Sequence, residues 1–352
     1  MVHTVEIGHS LSRDKAIDFA RSQSVFDEEQ FDQLLDGRVD EIEAAEYQLP
    51  GFNKFRMYRR GSEQYYFLCI VINPQVLLTN RPTIDPFSCS QEAVQAIEAP
   101  FRVGLDVVSD VTFDSLLSWS VVRIDYAINL HASHVSVYVA LAKRAKLPRG
   151  YVCTEDKPGS FYVRCNSVTL NFYDKQDQMQ KQPNWGRYYD RLCRDAADIY
   201  RIEVQCRGPK RFAIMNDYRL QNISVAGFLN EQIARDIIQE HYRSTIGYGD
   251  YYSLPAVYQR IQETNWRKPK KERIYNWLRL IAQAGSYPAS IPLFLNGAYL
   301  DDEPDIRVQG SKRTLIDYEQ SCQREGINPI TIPGEFSPTD FLPNPVRQTS
   351  LE

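Results

Sequence analysis

The sequence predicts an α+β fold: a central antiparallel sheet with helices packed on one face, followed by a mainly helical C-terminal part. Two observations carry that expectation. Three short segments, SVVRIDYAINL (120–130), SVTLNFYDK (167–175) and IYRIEVQCR (199–207), alternate polar and apolar residues, and period two is the repeat of a half-buried strand. From about residue 220 the apolar residues instead recur at helical spacing, the mark of amphipathic helices.

In chain order, a region of about 110 residues comes first and carries a hairpin. FRMYRR (55–60) and QYYFLCIVI (64–72) flank Gly61-Ser62, and Asn73-Pro74 ends the second strand, because proline cannot continue a ladder. The stretch TNRPTIDPFSCS leads to helix-like EAVQAIEAPF, and the first alternating strand begins near Ser120. After it, Ser133 is placed to cap a helix bearing Val135, Tyr138, Ala142 and Ala145, closed by Pro148 and Gly150. The polar insert KQDQMQKQPNWGRYYDRLCRDAAD reads as a loop and a short helix. Ile233 and Ile237 mark one later helix, Ile274, Trp277, Leu278 and Ile281 a second, and Leu315, Tyr318 and Cys322 a third, closed by Gly326. The proline-rich end NPITIPGEFSPTDFLPNPVRQ reads as extended or partly disordered. The expected division is 1–215 for the sheet domain, 216–335 for the helical part and 336–352 for a tail.

The three strands define a chemically loaded face. Period two puts Arg123, Asp125 and Asn129 on it, then Asn171, Tyr173 and Lys175, then Arg201, Glu203, Gln205 and Arg207. The opposite face reads Val122, Ile124, Tyr126, Ile128; Val168, Leu170, Phe172; Ile202, Val204, Cys206, which suits packing against helices. Two carboxylates, a tyrosine, a lysine and three arginines on one face include the parts of a metal-assisted phosphotransfer site. Arg-x-Asp beside Arg-x-Glu equally suits plain cross-strand ion pairs.

Composition narrows the class. The formal net charge of −4 means that any polyanion must be met by local clusters, of which KRAKLPR (143–149), RGPKR (207–211) and RKPKKER (267–273) are candidates. Such clusters are also common as solvated helix ends. Seven cysteines without paired spacing read as reduced thiols, so a cytoplasmic location is expected. No apolar run approaches membrane-spanning length and the N-terminus lacks signal-peptide order, so no membrane association is expected.

The order RID, then TLxxYxK as TLNFYDK, then RIE, followed by a helical part, resembles the filamentous-phage gene II type of replication initiator. It resembles more distantly the initiators and relaxases of small rolling-circle plasmids and integrative elements. Ile72-Asn73-Pro74-Gln75-Val76-Leu77 and KRTLIDYEQSCQREGINPITIP (312–333) extend the likeness across most of the chain. The resemblance implies a site-specific, metal-dependent endonuclease that nicks one DNA strand at an origin. The nucleophile of such enzymes is a tyrosine, which stays joined to the 5′ phosphate and leaves a 3′ hydroxyl to prime synthesis.

By this resemblance the nucleophile is Tyr173, in the motif Tyr173-Asp174-Lys175. A phenol with a pKa of about 10 needs a cation or metal to stabilise its phenolate if it is to attack at neutral pH, and Lys175 is a candidate for that role or for balancing charge at the phosphate. Asp125 and Glu203 are the candidate ligands of Mg²⁺ or Mn²⁺. Arg123 and Arg201 are candidate bidentate phosphate ligands. Tyr218, in NDYRL, is the rival nucleophile, because related plasmid initiators place theirs after the RIE-like strand; Tyr188 and Tyr189 stand behind it. His131 and His134 have helical-neighbour spacing and read either as one metal ligand or as surface residues. Lys268, Lys270, Lys271 and Arg273, flanked by Trp266 and Trp277, suit phosphate contacts beside aromatic surface, although both tryptophans equally suit a core. Implied partners are origin DNA, duplex and single-stranded, with a host helicase and polymerase. The alternatives are a relaxase acting at a transfer origin and a noncatalytic origin-binding protein.

Overall fold

A computed structural model describes residues 1–22, 25–44, 49–60, 65–157, 159–181, 186–336 and 338–348. The hairpin turn at Gly61-Ser62 and the expected loop around 182–185 lie outside the described residues. Nine strands, β1 (Val2–Ser12), β2 (Glu41–Glu43), β3 (Phe52–Arg60), β4 (Tyr65–Ile72), β5 (Ser120–His131), β6 (Val152–Lys157), β7 (Ser160–Arg164), β8 (Val168–Asp174) and β9 (Ile199–Arg207), form one antiparallel sheet. Their order is β2-β3-β4-β1-β5-β9-β8-β7-β6. The three alternating segments are therefore β5, β9 and β8, side by side.

Their register aligns the polar face. Asp125 pairs with Gln205, Ala127 with Glu203 and Asn129 with Arg201; on the next strand Glu203 pairs with Asn171 and Arg201 with Tyr173. The structure corrects one position: the register of β1 on β5 shifts between Glu6 and Ile7. This bulge sends Val121 into the core at 0% exposure and leaves Val122 half-buried. A second shift between Val2 and Thr4 lets two consecutive residues, His3 and Thr4, both reach the polar face, as bulges do.

Fifteen helices accompany the sheet among the described residues. α1 (Arg13–Arg21), α2 (Glu28–Leu35), α3 (Pro74–Thr79), α4 (Gln91–Ala96), α5 (Glu98–Val108) and α6 (Val135–Lys143) precede β6. Asn73 caps α3 through its side chain and Pro74 opens it, the position where a missing N–H costs nothing. His134 is the N-cap of α6 and makes no side-chain cap bond, so the expected Ser133 cap is not formed. Next come α7 (Lys175–Gln180), α8 (Tyr189–Asp195), α9 (Pro209–Asp217), α10 (Val225–Phe228) and α11 (Glu231–Thr245). The last are α12 (Leu254–Glu263), α13 (Lys268–Gln283), α14 (Tyr287–Asn296) and α15 (Lys312–Arg324).

The apolar face is closed by α6 and α11. Tyr138 of α6 stacks on Tyr200 of β9 at 5.8 Å, and Ile233 and Ile237 of α11 are buried in the core shared with Tyr126 and Val204. Each such aliphatic or aromatic burial contributes roughly 1.5–3 kcal/mol. That core runs without interruption into Trp277, Leu278, Leu315 and Cys322 of the helical part. The division expected at 215 is thus not a packing boundary, since α10 and α11 cover the sheet. The tail is also built in: β10 (Tyr251–Tyr252) pairs with β13 (Phe341–Leu342), while β11 (Ala298–Tyr299) and β12 (Arg307–Val308) pair locally. Asn344, fully buried, accepts from the Tyr242 hydroxyl at 2.8 Å and donates to the Gly247 and Gly249 carbonyls.

Candidate active site

The polar face is partly roofed. The chain around Ile84 lies over its lower end, packing with Met179, Leu192, Ala196 and Ile199 in a small second core. Arg201 is drawn under this roof at 0% exposure. Its Nε donates to Asn129 Oδ1 at 2.7 Å and its Nη2 to the Ile84 carbonyl. The expected phosphate contact by Arg201 is therefore corrected: its guanidinium is a buried strut. Arg123 stays half-buried and reachable, with Nη1 4.0 Å from Glu6 and Nε 3.3 Å from Asp125 Oδ1.

At the centre lies Glu203. Its Oε1 accepts the Tyr173 hydroxyl at 2.6 Å, has His3 Nδ1 at 3.2 Å and faces Arg201 Nη1 at 3.5 Å. His3 reaches across β5 at the level of Ala127, the small residue paired with Glu203. Burial works to raise the Glu203 carboxyl, but His3, Arg201, the Tyr173 hydroxyl and Lys175 together hold it below its usual range. Burial, reinforced by the Glu203 charge, pushes the Tyr173 phenol well above its ordinary value. The phenol is only 3% exposed and in this arrangement is proton-bearing.

Lys175 opens α7 immediately after the strand, with Asp174 as its cap. The side chain nonetheless lies beside Tyr173, Nζ 5.8 Å from the ring centre, and donates to Gln178 at 2.7 Å. Burial, with the nearby Arg201 cation, lowers its pKa to about 7. Burial likewise lowers His3 to about 4, despite Glu203, so its ring is neutral near pH 7. A cleft of about 620 Å³ opens over these groups, lined by His3, Thr4, Lys175 and Gln178 together with Asn53 and Asn73.

Asp125 is diagonal to Glu203 on the sheet and receives the Thr4 hydroxyl. Burial raises its pKa against the pull of Arg123 and Thr4. Among the described residues, no three His, Cys, Asp or Glu side chains come close enough to ring a metal ion. Asn171 Oδ1 is, however, a buried oxygen without a hydrogen-bond partner, and Asp125 Oδ1 has only the Arg123 ion pair at 3.3 Å, which is not aligned as a hydrogen bond. Mg²⁺ and Mn²⁺ take hard oxygen donors, often only one or two carboxylates with water and phosphate completing the shell, so the donor set fits such a cation.

The other sequence candidates lie elsewhere. The Tyr218 hydroxyl donates to Asp236 of α11 at 2.9 Å, on the helix that covers the apolar face. Burial and Asp236 raise its pKa. Tyr188 and Tyr189 join the short 3₁₀ turn to α8, and His131 and His134 are exposed. In the basic cluster, Lys270 pairs with Asp317 at 3.2 Å and Lys271 donates to the Gln262 carbonyl at 2.6 Å. Arg273 Nε turns back to the Pro269 carbonyl at 3.0 Å, and Lys268 is exposed. Trp277 is fully buried, so it belongs to the core, whereas Trp266 is half-buried with Lys270 6.0 Å from its ring.

Sequence reasoning missed β1 and with it His3, Thr4 and Glu6, whose side chains complete the face. The signal was present in VHTVEIGHS, where apolar and polar residues alternate with one slip. Compared with protein-family models, curated proteins and solved structures, the chain matches none.

Proposed function

We propose that the protein is a metal-dependent DNA strand transferase that nicks one strand at an origin through a covalent 5′-phosphotyrosine on Tyr173, initiating rolling-circle replication. The observation that carries this reading is the 2.6 Å bond from the Tyr173 hydroxyl to Glu203, beside Asp125 and Lys175. Glu203 is placed to accept the phenolic proton as the oxygen attacks phosphorus. The bond from phosphorus to the 3′ oxygen then breaks, and that oxygen takes a proton from water. Lys175, whose pKa burial lowers to about 7, stabilises the developing phenolate when it carries its proton. Glu203 and Asp125 would hold the cation, which when bound would supply Lewis-acid polarisation of the phosphate oxygens. Arg123, at the open end of the face, is the phosphate-binding candidate of this strand group. Because Tyr173 is covered, DNA entry has to part the Lys175 and His3 side chains.

A noncatalytic origin-binding role is the second reading. It is favoured by one observation: the phenol is buried, with its pKa raised rather than lowered. Incubation of the full chain with supercoiled DNA carrying its own origin, with and without Mg²⁺ or Mn²⁺, separates the two. Metal-dependent nicking supports the strand transferase; binding without cleavage under any metal supports the second reading. Nicking at a transfer origin instead would make the protein a relaxase.

A further inference from the structure

A separate cavity of about 320 Å³ lies where the ends of α6 and α11 meet α14 and α15. α6 and α11 cover the apolar face, so this cavity is across the sheet from Tyr173, and it shares no lining residue with the cleft over His3 and Lys175. Its volume falls at the lower end of small-molecule pockets, roughly 300–1,000 Å³. It suits one small ligand rather than a length of polymer.

The charges in it do not cancel. Glu319 is satisfied by Lys146 at 2.9 Å and by the Tyr287 hydroxyl. Arg243 has no carboxylate partner among the described residues; its guanidinium instead sits 4.6 Å over the Tyr248 ring. The Tyr248 hydroxyl is a buried oxygen with no hydrogen-bond partner. Ile327 and Ile330, both buried, supply an apolar wall. Beside them Gly247 has a φ of +77°, and a Cβ built there would meet nothing within 4 Å, so the loop backbone faces open space. A guanidinium without a carboxylate partner, stacked on a ring, and an apolar wall beside it together favour a ligand that joins an anionic group to a flat apolar body.

We infer that this cavity binds a single deoxynucleotide, its base against the Ile327 and Ile330 wall and its phosphate on Arg243. The choice of a nucleotide among planar anions rests on the DNA-processing reading above. The same chemistry has two sources, a free nucleotide or one unstacked residue of a DNA strand.

The test uses the full chain and equilibrium titration with deoxyadenosine 5′-monophosphate. Deoxyadenosine, inorganic phosphate and benzoate serve as partial ligands. The monophosphate binds, and each partial ligand binds at least about tenfold more weakly. Arg243→Ala, at an exposed position, weakens the monophosphate by about tenfold or more, whereas Tyr173→Phe leaves it unchanged. Competition by a short single-stranded oligonucleotide assigns the site to the strand, and lack of competition assigns it to the free nucleotide. Failure of the monophosphate to bind at millimolar concentration, indifference to Arg243→Ala, or benzoate binding equally well overturns the inference. Nicking is scored on the same preparations: its absence with nucleotide binding intact counts against the strand-transfer reading alone.

Discussion

Replacing Lys175 by Met tests whether an amine is held in the site in a depressed state. Lys175 is 5% exposed and its pKa falls from the ordinary value of 10.5 to about 7, through burial first and then the Arg201 cation, against the pull of Glu203. With the folded pKa below the unfolded one, the unfolded chain holds the extra proton between pH 7 and pH 10.5. Stability therefore rises with pH across that window, by up to about 1.4 kcal/mol per pH unit for one proton. Between about pH 7.5 and 9 the gain attributable to Lys175 is about 2 kcal/mol. Methionine has similar length and no charge, so Lys175→Met removes this slope and is itself more stable than wild type near neutrality. Buried thiols such as Cys206, raised by burial, contribute the opposite slope at high pH but do so in both proteins. The assay is urea denaturation of both proteins at several pH values, reading the difference between the two profiles. Parallel profiles would show that Lys175 titrates like a surface lysine, and the account of a neutralisable amine beside Tyr173 would fall.

Three further expectations concern other parts of the molecule. Asp125→Ala and Glu203→Gln each weaken Mn²⁺ binding by about tenfold or more while DNA binding persists, as titration followed by electron paramagnetic resonance would show; glutamine is chosen because it avoids stranding Arg201 beside an apolar gap. Unchanged Mn²⁺ affinity in both variants removes the carboxylate pair from the site. Asn344→Ala lowers stability by about 3 kcal/mol, since it strands the buried Tyr242 hydroxyl and two carbonyls, and a loss within error in urea melts would mean that the C-terminal segment is not held by this residue. Replacing Lys268, Lys270, Lys271 and Arg273 together by Gln weakens binding to all DNA sequences and lowers the salt slope by about 0.9 for each phosphate that is no longer neutralised; an unaltered slope returns the cluster to ordinary surface.

What was legible in the sequence was whatever local periodicity encodes. β5, β8 and β9 are legible to within a residue of their observed ends because each has one polar and one apolar face, and the same alternation places Asp125, Tyr173 and Glu203 together. α11, α13 and α15 were readable from their apolar stripes. β1 was not, because it is central and mostly buried, and a bulge at His3 breaks its alternation. His3 was hidden for the same reason, since strict period two assigns neighbouring residues to opposite faces. α12 buries only Val257 and Ile261, a stripe of two residues in a short helix, and α14 carries an internal proline, Pro292, that obscures its helical reading. The proline-rich end resembles a disordered tail in composition, yet its order comes from long-range bonds through Asn344 that no local pattern reveals. Arg201 shows the limit of reading a face as a surface: the residue is on the polar side, but the chain around Ile84 seals it from solvent.

The most direct test of the central claim is to trap the wild-type protein on origin DNA with Mn²⁺ and map the covalent adduct by peptide mass spectrometry. The account predicts a nucleotide joined through its 5′ phosphate to Tyr173, and no adduct in Tyr173→Phe, which keeps the ring's packing and still binds the DNA. A label on Tyr218, or no adduct with any metal while the protein binds its origin, would contradict it.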